Sequence, residues 1–346
     1  MRGLLVSALC ALGLNSCYLT KQGYRQLGLL TSREPIDDVL KEDKASAEQK
    51  QKLEFTLKTL AYAQSQGLKT GAAYKDFVSL NGEVVSYTIQ AAKPTEMRLK
   101  TWWFPVVGSV PYLGFFDKAD RDDEASDLER DGFEIYKGGV AAYSSLGWFS
   151  DPVYSSMLRR SDVELAHLYF HELTHRTIWL QDGVEFNENL AEYVADALTG
   201  SYFKSLNRDG ELTQFREANA DYELFRVWLK KLRQDLERSL TQTERMPELI
   251  RVSEKSKVIS LAVSLKPIYK RIDFVGSHPW NNARILAAGL YSPDVLKFER
   301  AASCFGAANA PFKIGNFLKA LDKSAEKAGT GFLALEQMCQ SPGQEG

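Results

Sequence analysis

The chain has 346 residues, enough for one large domain or two modest ones with a sizeable buried core. Its net charge of −2 excludes the broad basic surface on which nucleic-acid binding depends, so we expect no nucleic-acid partner. A hydrophobic content of 44% with 11% aromatic residues is typical of a globular protein.

The first seventeen residues are predicted to direct export. Arg2 supplies a small positive charge, and the uncharged apolar run at residues 4–14 is too short to span a bilayer, which needs about 20 residues. Ser16 before Cys17 resembles a bacterial lipobox, at which residues 1–16 would be removed and Cys17 would be lipidated. Plain cleavage nearby, with Cys17 as an incidental thiol, is the alternative. We therefore expect an exported lipoprotein, anchored to a membrane through Cys17 and facing the periplasm or the cell exterior.

A short tether, residues 17–36, precedes the first predicted helix. Leucines at helical spacing predict that helix over residues 37–66, and Gly67 is expected to end it. Residues 37–160 as a whole are predicted to hold this helix and a small antiparallel sheet.

The strands of this sheet are predicted from alternating apolar residues and turn signals. An Asn-Gly pair inside residues 74–92 indicates a hairpin, because this dipeptide favours tight two-residue turns. Residues 101–107 and 112–116 are expected to pair with each other, and residues 138–143 to add one more strand. The charged run at residues 118–131 is interpreted as a solvated helix without a functional role.

From residue 161 to residue 340 the sequence pattern is helical. Apolar residues that alternate steps of three and four predict one long amphipathic helix. They are Phe225, Leu229, Leu232, Leu236 and Leu240. The predicted fold class is therefore α+β and mainly α, with one integrated domain over residues 37–340.

Two cysteines remain if Cys10 is removed with the leader and Cys17 is acylated: Cys304 and Cys339. In an oxidising compartment the two could form a disulfide that closes the C-terminal region on itself. Two separate buried thiols are the alternative, and the sequence favours neither.

The strongest chemical signal lies on the helix that Ser161 begins. Ser161 opens a capping box, so a helix is expected from here to about residue 180. His171 and His175 are four residues apart and therefore share one helical face, from which both rings can bind one metal ion. Glu172 lies beside that face, where its carboxylate can act as a general base in hydrolysis.

His167 lies one turn earlier on the same face but is not expected to share that ion. It is about 12 Å along the helix axis from His175, too far for both rings to bind one metal. We interpret it as a supporting or solvent-exposed residue. A histidine ligand six residues after His175 is also excluded, because that position is Gln181.

A carboxylate is therefore the expected third ligand. After a turn at Asp182-Gly183, a second helix would present Glu188, Glu192 and Asp196 on one face. We assign Glu188 as the ligand and Glu192 as the group that orients a histidine ring, with the reverse assignment as the alternative. Two histidines and one glutamate leave one coordination position open, which is typical of a catalytic site with one Zn²⁺ per chain.

This motif resembles the gluzincin peptidases, thermolysin and aminopeptidase N among them. Their third ligand stands in an Asn-Glu pair, here Asn187-Glu188, with an acidic residue four positions on. Only twelve residues separate His175 from Glu188, fewer than in those two families. A closer resemblance, over nearly the whole mature chain, is to a family of bacterial lipoproteins assigned as zinc aminopeptidases. The shared motifs include Phe104-Pro105-Val106-Val107-Gly108, Ser144-Ser145-Leu146-Gly147-Trp148-Phe149, Asp151-Pro152 and Asn281-Asn282-Ala283-Arg284.

The resemblance implies a thermolysin-like (gluzincin) zincin core, with the small antiparallel sheet ahead of a helical zinc-binding region at residues 161–340. It implies zinc as the cofactor, a peptide as the substrate, and Asn187 with Glu192 in support of the ligands. Enzymes of the aminopeptidase N type also use an acidic residue to anchor the substrate's free amine. The strand at residues 138–143 has none, so Glu134 is the candidate anchor and an oligopeptidase activity stays open.

A hydrolytic site also needs a donor for the developing oxyanion, usually Tyr or His in gluzincins. Tyr291 is our assignment, with Tyr143 and His278 as alternatives. The predicted function is a zinc-dependent peptidase, an aminopeptidase or oligopeptidase, with Glu172 as general base. The alternatives are an envelope lipoprotein that binds zinc without catalysis and a zinc amidase that acts on cell-wall peptides. The sequence does not indicate an oligomeric state.

Overall fold

Helices make up most of the protein, and short strands form three small sheets in the part of the chain that the structure describes. The computed structural model describes residues 32–42, 45–80, 84–104, 108–140, 151–180, 183–276, 279–288, 295–308 and 312–340. Its helices are α1 (Ile36–Lys41), α2 (Ala47–Ser65), α3 (Lys118–Arg130), α4 (Asp162–Thr177), α5 (Val184–Ser205), α6 (Asp209–Gln242), α7 (Glu248–Ser264), α8 (Asn282–Ala288), α9 (Leu296–Ala308), α10 (Ile314–Ala328) and α11 (Gly331–Gln340). Its strands are β1 (Glu34–Pro35), β2 (Asp76–Val78), β3 (Ser86–Ala92), β4 (Trp102–Phe104), β5 (Gly108–Val110), β6 (Leu113–Phe115), β7 (Glu134–Val140) and β8 (Val153–Tyr154). The predicted class, α+β and mainly α, is confirmed.

The first predicted helix is two helices, α1 and α2. Ser46 begins α2 with a capping box, in which its hydroxyl accepts from the main-chain N–H of Gln49 and the Gln49 side chain accepts from that of Ser46. A capping box satisfies the free N–H groups at a helix start, so it favours a new helix over a continuous one. The prediction of one helix over residues 37–66 is wrong for this reason, whereas Gly67 follows its end as expected, with φ of 94°.

β2 and β3 do not form the predicted hairpin, because they belong to different sheets. β2 pairs with β1 and β8, whereas β3 pairs antiparallel with β6 on one side and β7 on the other. The Asn-Gly pair lies outside the described residues. Burial explains the difference, since Phe77 of β2 packs into the main core and Ile89 of β3 into a separate cluster under the other sheet. Burial of distant residues outweighs the local turn signal.

The second predicted strand pair is also wrong. β4 pairs with β5, and β6 pairs with β3 instead. Leu113 and Phe115 of β6 are buried in the same cluster as Ile89, so pairing with β3 keeps both side chains out of water. β7 begins earlier than the predicted strand, and the predicted solvated helix is confirmed as α3.

The main hydrophobic core lies between α2, α4, α5 and the C-terminal helices. Tyr169 and Phe170 of α4 and Phe186 and Phe203 of α5 are among its largest fully buried side chains. The long amphipathic helix predicted from its apolar stripe is confirmed as α6, whose five stripe residues are all buried. Among the described residues, none of the helices has both the length and the apolar character that crossing a membrane requires.

A disulfide joins Cys304 of α9 to Cys339 of α11, which is one of the two alternatives that the sequence leaves open. The two Cα atoms lie 5.2 Å apart, within the normal range for such a bridge. The bridged helices pack on α5 through aromatic contacts of Phe186 with Phe298 and Phe332. The C-terminal region therefore covers α5 on the side of the main core.

Asn282, the first residue of α8, ties this helix to the sheet of β3 and β7. Its side chain is fully buried, and the two N–H groups of Nδ2 are shared among the carbonyl oxygens of Lys93, Pro94 and Glu96 at 3.0–3.1 Å. Its main-chain N–H donates to the carboxylate of Glu134, at the start of β7, at 2.8 Å. One buried amide thereby satisfies the turn after β3 and holds α8 against the sheet.

We predict that Asn282→Ala lowers the free energy of unfolding by about 3 kcal/mol, because buried groups left without a partner cost about 1–3 kcal/mol each. Asn282→Asp should be at least as harmful, since a carboxylate of the same size accepts hydrogen bonds but cannot donate them. Urea unfolding followed by circular dichroism measures both variants. An Asp variant as stable as the wild type would contradict the role of the bonds that Nδ2 donates.

Candidate metal centre

α4 carries the histidine pair and begins at the predicted capping box. The main-chain N–H of Ser161 donates to Glu164 Oε2 at 2.9 Å, and that of Glu164 donates to Ser161 Oγ at 3.4 Å. The helix ends at Thr177 rather than near residue 180, because Ile178 has an extended backbone with φ of −145°. The chain leaves α4 early enough to return beside it as α5.

Asn187, in the first turn of α5, fastens the connection between the two helices. Its Oδ1 accepts from the main-chain N–H of Leu180 at 2.9 Å, and its Nδ2 donates to the carbonyl oxygens of Leu180 and Gly183 at 2.7 and 3.0 Å. The resemblance implies that Asn187 supports the ligands together with Glu192, and this role stays a prediction. Because its polar atoms bond the main chain of the connection, Asn187 acts on the position of α5.

The two helices bring together two ring nitrogens and one carboxylate. His171 Nε2 lies 3.2 Å from His175 Nε2 and 3.2 Å from Glu188 Oε2, and His175 Nε2 lies 3.6 Å from Glu188 Oε1. Tetrahedral zinc with bonds of about 2.0–2.1 Å separates its ligand atoms by about 3.3 Å. These three side chains therefore have the spacing of a zinc ligand set without any rearrangement of the helices.

Opposing electrostatic effects act on the members of this cluster. Burial by itself lowers the pKa of His171, but hydrogen bonds to Glu188 and Glu192 and the charge of Glu172 raise that pKa to about 10. Burial raises the pKa of Glu188, but hydrogen bonds to His171 and His175 lower it to about 2. The cluster stabilises positive charge between the carboxylates, which is what a divalent cation supplies.

Glu188 and Glu192 occupy opposite sides of the His171 ring. Glu188 lies at Nε2, the nitrogen that faces His175, whereas Glu192 Oε2 lies 3.4 Å from Nδ1 on the far side of the ring. Burial raises the pKa of Glu192, and its hydrogen bond to His171 lowers it, with a net decrease. A carboxylate at Nδ1 selects the tautomer that leaves Nε2 free for a metal.

His167 lies on the same face of α4 but is directed away from the three clustered side chains. Its Nε2 lies 3.1 Å from Asp196 Oδ1 and 3.8 Å from Glu192 Oε1. The ring also packs against Phe215, with ring centroids 5.2 Å apart. His167 therefore belongs to a second group of side chains one helical turn away.

A family model described as Putative aminopeptidase matches residues 17–327. The chain belongs to this family. No curated protein and no solved structure matches the chain. Membership confirms the expected aminopeptidase family and identifies the protein as a member of a peptidase family.

For a member of the aminopeptidase family, the candidate amine anchor Glu134 is in an unexpected environment. Its carboxylate forms an ion pair with Lys255, which is 2% exposed, and accepts the N–H of Asn282. An amine of the substrate would have to displace a buried lysine, leaving that charge without its partner, which is costly. The sequence assignment of Glu134 as anchor is therefore corrected, and Glu134 has a structural role.

Other assigned residues lie outside the described residues. They are Cys17, Tyr143, His278 and Tyr291. The lipidation of Cys17 and the oxyanion role of Tyr291 stay predictions.

Two residues near the cluster were missed by the sequence analysis. Trp179 is 41% exposed and its ring lies 5.4 Å from that of His175, although Trp179 follows the end of α4 and helical spacing does not apply to it. Tyr74 is buried with a left-handed backbone, φ of 59°, and its pKa is raised by burial and then by the charge of Glu172. No local pattern links Tyr74 to Glu172, since they are far apart in sequence.

Proposed function

We propose that the protein is a zinc-dependent peptidase in which His171, His175 and Glu188 hold the metal and Glu172 is the general base. The convergence of one atom of each ligand residue, all within 4.8 Å of one another, carries the proposal. Two imidazole nitrogens 3.2 Å apart can share only one proton, whereas a cation satisfies both at once. The paired helices and their short connection also support a gluzincin core for this family member.

The mechanism assigns each side chain a separate task. His171, His175 and Glu188 would hold a zinc ion, which would supply a Lewis acid for the peptide carbonyl and would lower the pKa of water. Glu172 accepts the proton of the attacking water and then donates it to the leaving nitrogen. Its Oε2 is buried and has no hydrogen-bond partner among the described residues, so none of their side chains competes for this oxygen. Glu192 holds His171 at Nδ1 and so fixes the ring orientation.

We propose that the protein acts as an aminopeptidase or as an oligopeptidase. The family name favours an aminopeptidase. The ion pair of Glu134 with Lys255 means that an exopeptidase of this kind must take its amine anchor from another residue. An oligopeptidase needs no such anchor, which keeps this activity in the proposal.

Replacing the general base separates catalysis from metal binding. We predict that Glu172→Gln keeps one Zn²⁺ per chain but lowers peptide hydrolysis by about 10²–10⁴-fold, the usual contribution of a general base. His171→Ala, as the matched variant one residue away, should lose both metal and activity. Zinc is counted by plasma mass spectrometry after dialysis, and turnover is followed with a library of fluorogenic peptides.

Three results would reject this proposal. A wild-type protein that holds clearly less than one zinc after reconstitution would remove the basis of the metal site. Equal turnover by wild type and Glu172→Gln would show that the carboxylate is not the base. Zinc binding without hydrolysis of any peptide by the wild type would favour the non-catalytic lipoprotein.

The two glutamates of α5 should differ in their effect on metal affinity. Glu188→Ala removes one of three ligands and is expected to abolish most of the zinc affinity. Glu192→Ala should lower the affinity for zinc by only about 10–100-fold, as is usual for a group that orients a ligand. Competition with a chromogenic chelator measures both. If Glu192→Ala lost more zinc affinity than Glu188→Ala, Glu192 would be the ligand and Glu188 the group that orients the histidine ring.

We also propose that the protein is exported and anchored to a membrane by lipid on Cys17. Cys17→Ser should release the protein into the soluble fraction, since each buried CH₂ of an acyl chain contributes about 0.8 kcal/mol to membrane binding. Cys10→Ser, in the segment expected to be removed, is the control and should stay attached. Cell fractionation with a fatty-acid label reports both variants, and an unlabelled wild type would end the lipoprotein proposal.

A further inference from the structure

Histidines on α4 and carboxylates on α5 face each other in a ladder that is longer than the proposed zinc site. Each set repeats every four residues, so each lies along one face of its helix. The rungs are His167, His171 and His175 on α4, and Glu188, Glu192 and Asp196 on α5. The zinc site uses His171, His175 and Glu188, which leaves the other end of the ladder.

We propose that His167, Glu192 and Asp196 bind a second divalent cation. One ligand atom of each lies within 4.8 Å of the others, the same limit that the first group meets. His167 Nε2 is 3.1 Å from Asp196 Oδ1 and 3.8 Å from Glu192 Oε1. One imidazole with two carboxylates suits a borderline cation such as Zn²⁺, Co²⁺ or Mn²⁺.

The second cation would be separate from the proposed catalytic ion. His167 precedes the midpoint of His171 and His175 by six residues, which corresponds to about 9 Å along a helix. Metal pairs that act together in catalysis are about 3.5–4 Å apart. The second site therefore lies outside the reaction and touches the first only through Glu192, whose Oε2 is 3.4 Å from His171 Nδ1.

Charge balance favours a second ion. Three carboxylates belong to the two groups, those of Glu188, Glu192 and Asp196, and Glu172 is a fourth close enough for its charge to act on His171. Histidines that bind metal are neutral, so one zinc offsets only two of the four negative charges. A second divalent cation offsets the other two.

A cavity gives this site access to solvent. Asp196, whose side chain is 44% exposed, lines a cavity of about 380 Å³ together with Phe215 and Glu299. Phe215 also packs against the ring of His167, so the cavity lies directly beside the proposed ligands. Waters from the cavity can complete the coordination of an ion held by only three side chains.

Metal counting on the purified full chain tests the proposal. Equilibrium dialysis against rising free Zn²⁺, followed by plasma mass spectrometry, should show one tight equivalent and then a second, weaker one. His167→Gln or Asp196→Asn should weaken the second step more than about tenfold, because losing a ligand costs at least as much as losing a group behind one. Both variants should keep the tight equivalent. Glu299→Gln removes a charge from the same cavity and should leave both steps unchanged.

The outcomes separate this site from the catalytic one. His171→Ala should lose the tight zinc equivalent and keep the weak one. Loss of binding at one site can therefore be told apart from loss at the other. A wild type that takes up a single zinc at every concentration would overturn the proposal and leave His167 and Asp196 as an ion pair. A second equivalent that is retained in both His167→Gln and Asp196→Asn would also overturn it. Should His167→Gln fail to fold by circular dichroism, the half-exposed Asp196→Asn variant decides.

Discussion

The short connection between α4 and α5 is the constraint on which the centre depends. Ile178 leaves the helix early, and Asn187 bonds the main chain on both sides of the connection, so α5 must begin directly beside α4. Side chains repeat on one helical face every four residues. Once His175 faces Glu188, the same repeat brings His171 opposite Glu192 and His167 opposite Asp196, so the whole ladder follows from one helix pairing.

Packing on the far side of α4 gives this ladder its electrostatic character. Tyr169, Phe170 and Leu173 are fully buried in the main core, so the apolar face of α4 is tightly packed and its polar face lies on the opposite side. Burial opposes charge on both the imidazoles and the carboxylates, and only a partner of opposite sign offsets that cost. The raised pKa of His171 and the lowered pKa of Glu188 express this mutual dependence.

Buried polar groups also join the sheet to the helical region. Glu134 of β7 binds Lys255 of α7 and the main chain of Asn282 in α8, three elements that are distant in sequence. Glu134 was a plausible amine anchor only while its partner was unknown, because nothing near it in sequence indicates Lys255. The neighbouring residue Asn281 adds a further bond to β7, because its Nδ2 donates to the carbonyl oxygen of Ile135, next to Glu134. Both asparagines of the Asn281-Asn282 motif therefore hold α8 against the sheet.

The sequence by itself determined the features that arise within a single turn or helix. The capping box at Ser161, the shared face of His171 and His175 and the stripe of α6 depend on residues at most a few positions apart, and each of these three features formed as expected. Only the tertiary structure decided strand pairing, the disulfide and the partner of Glu134. These depend on how much apolar surface and how many polar groups distant segments bury against each other, a free energy that no local pattern contains.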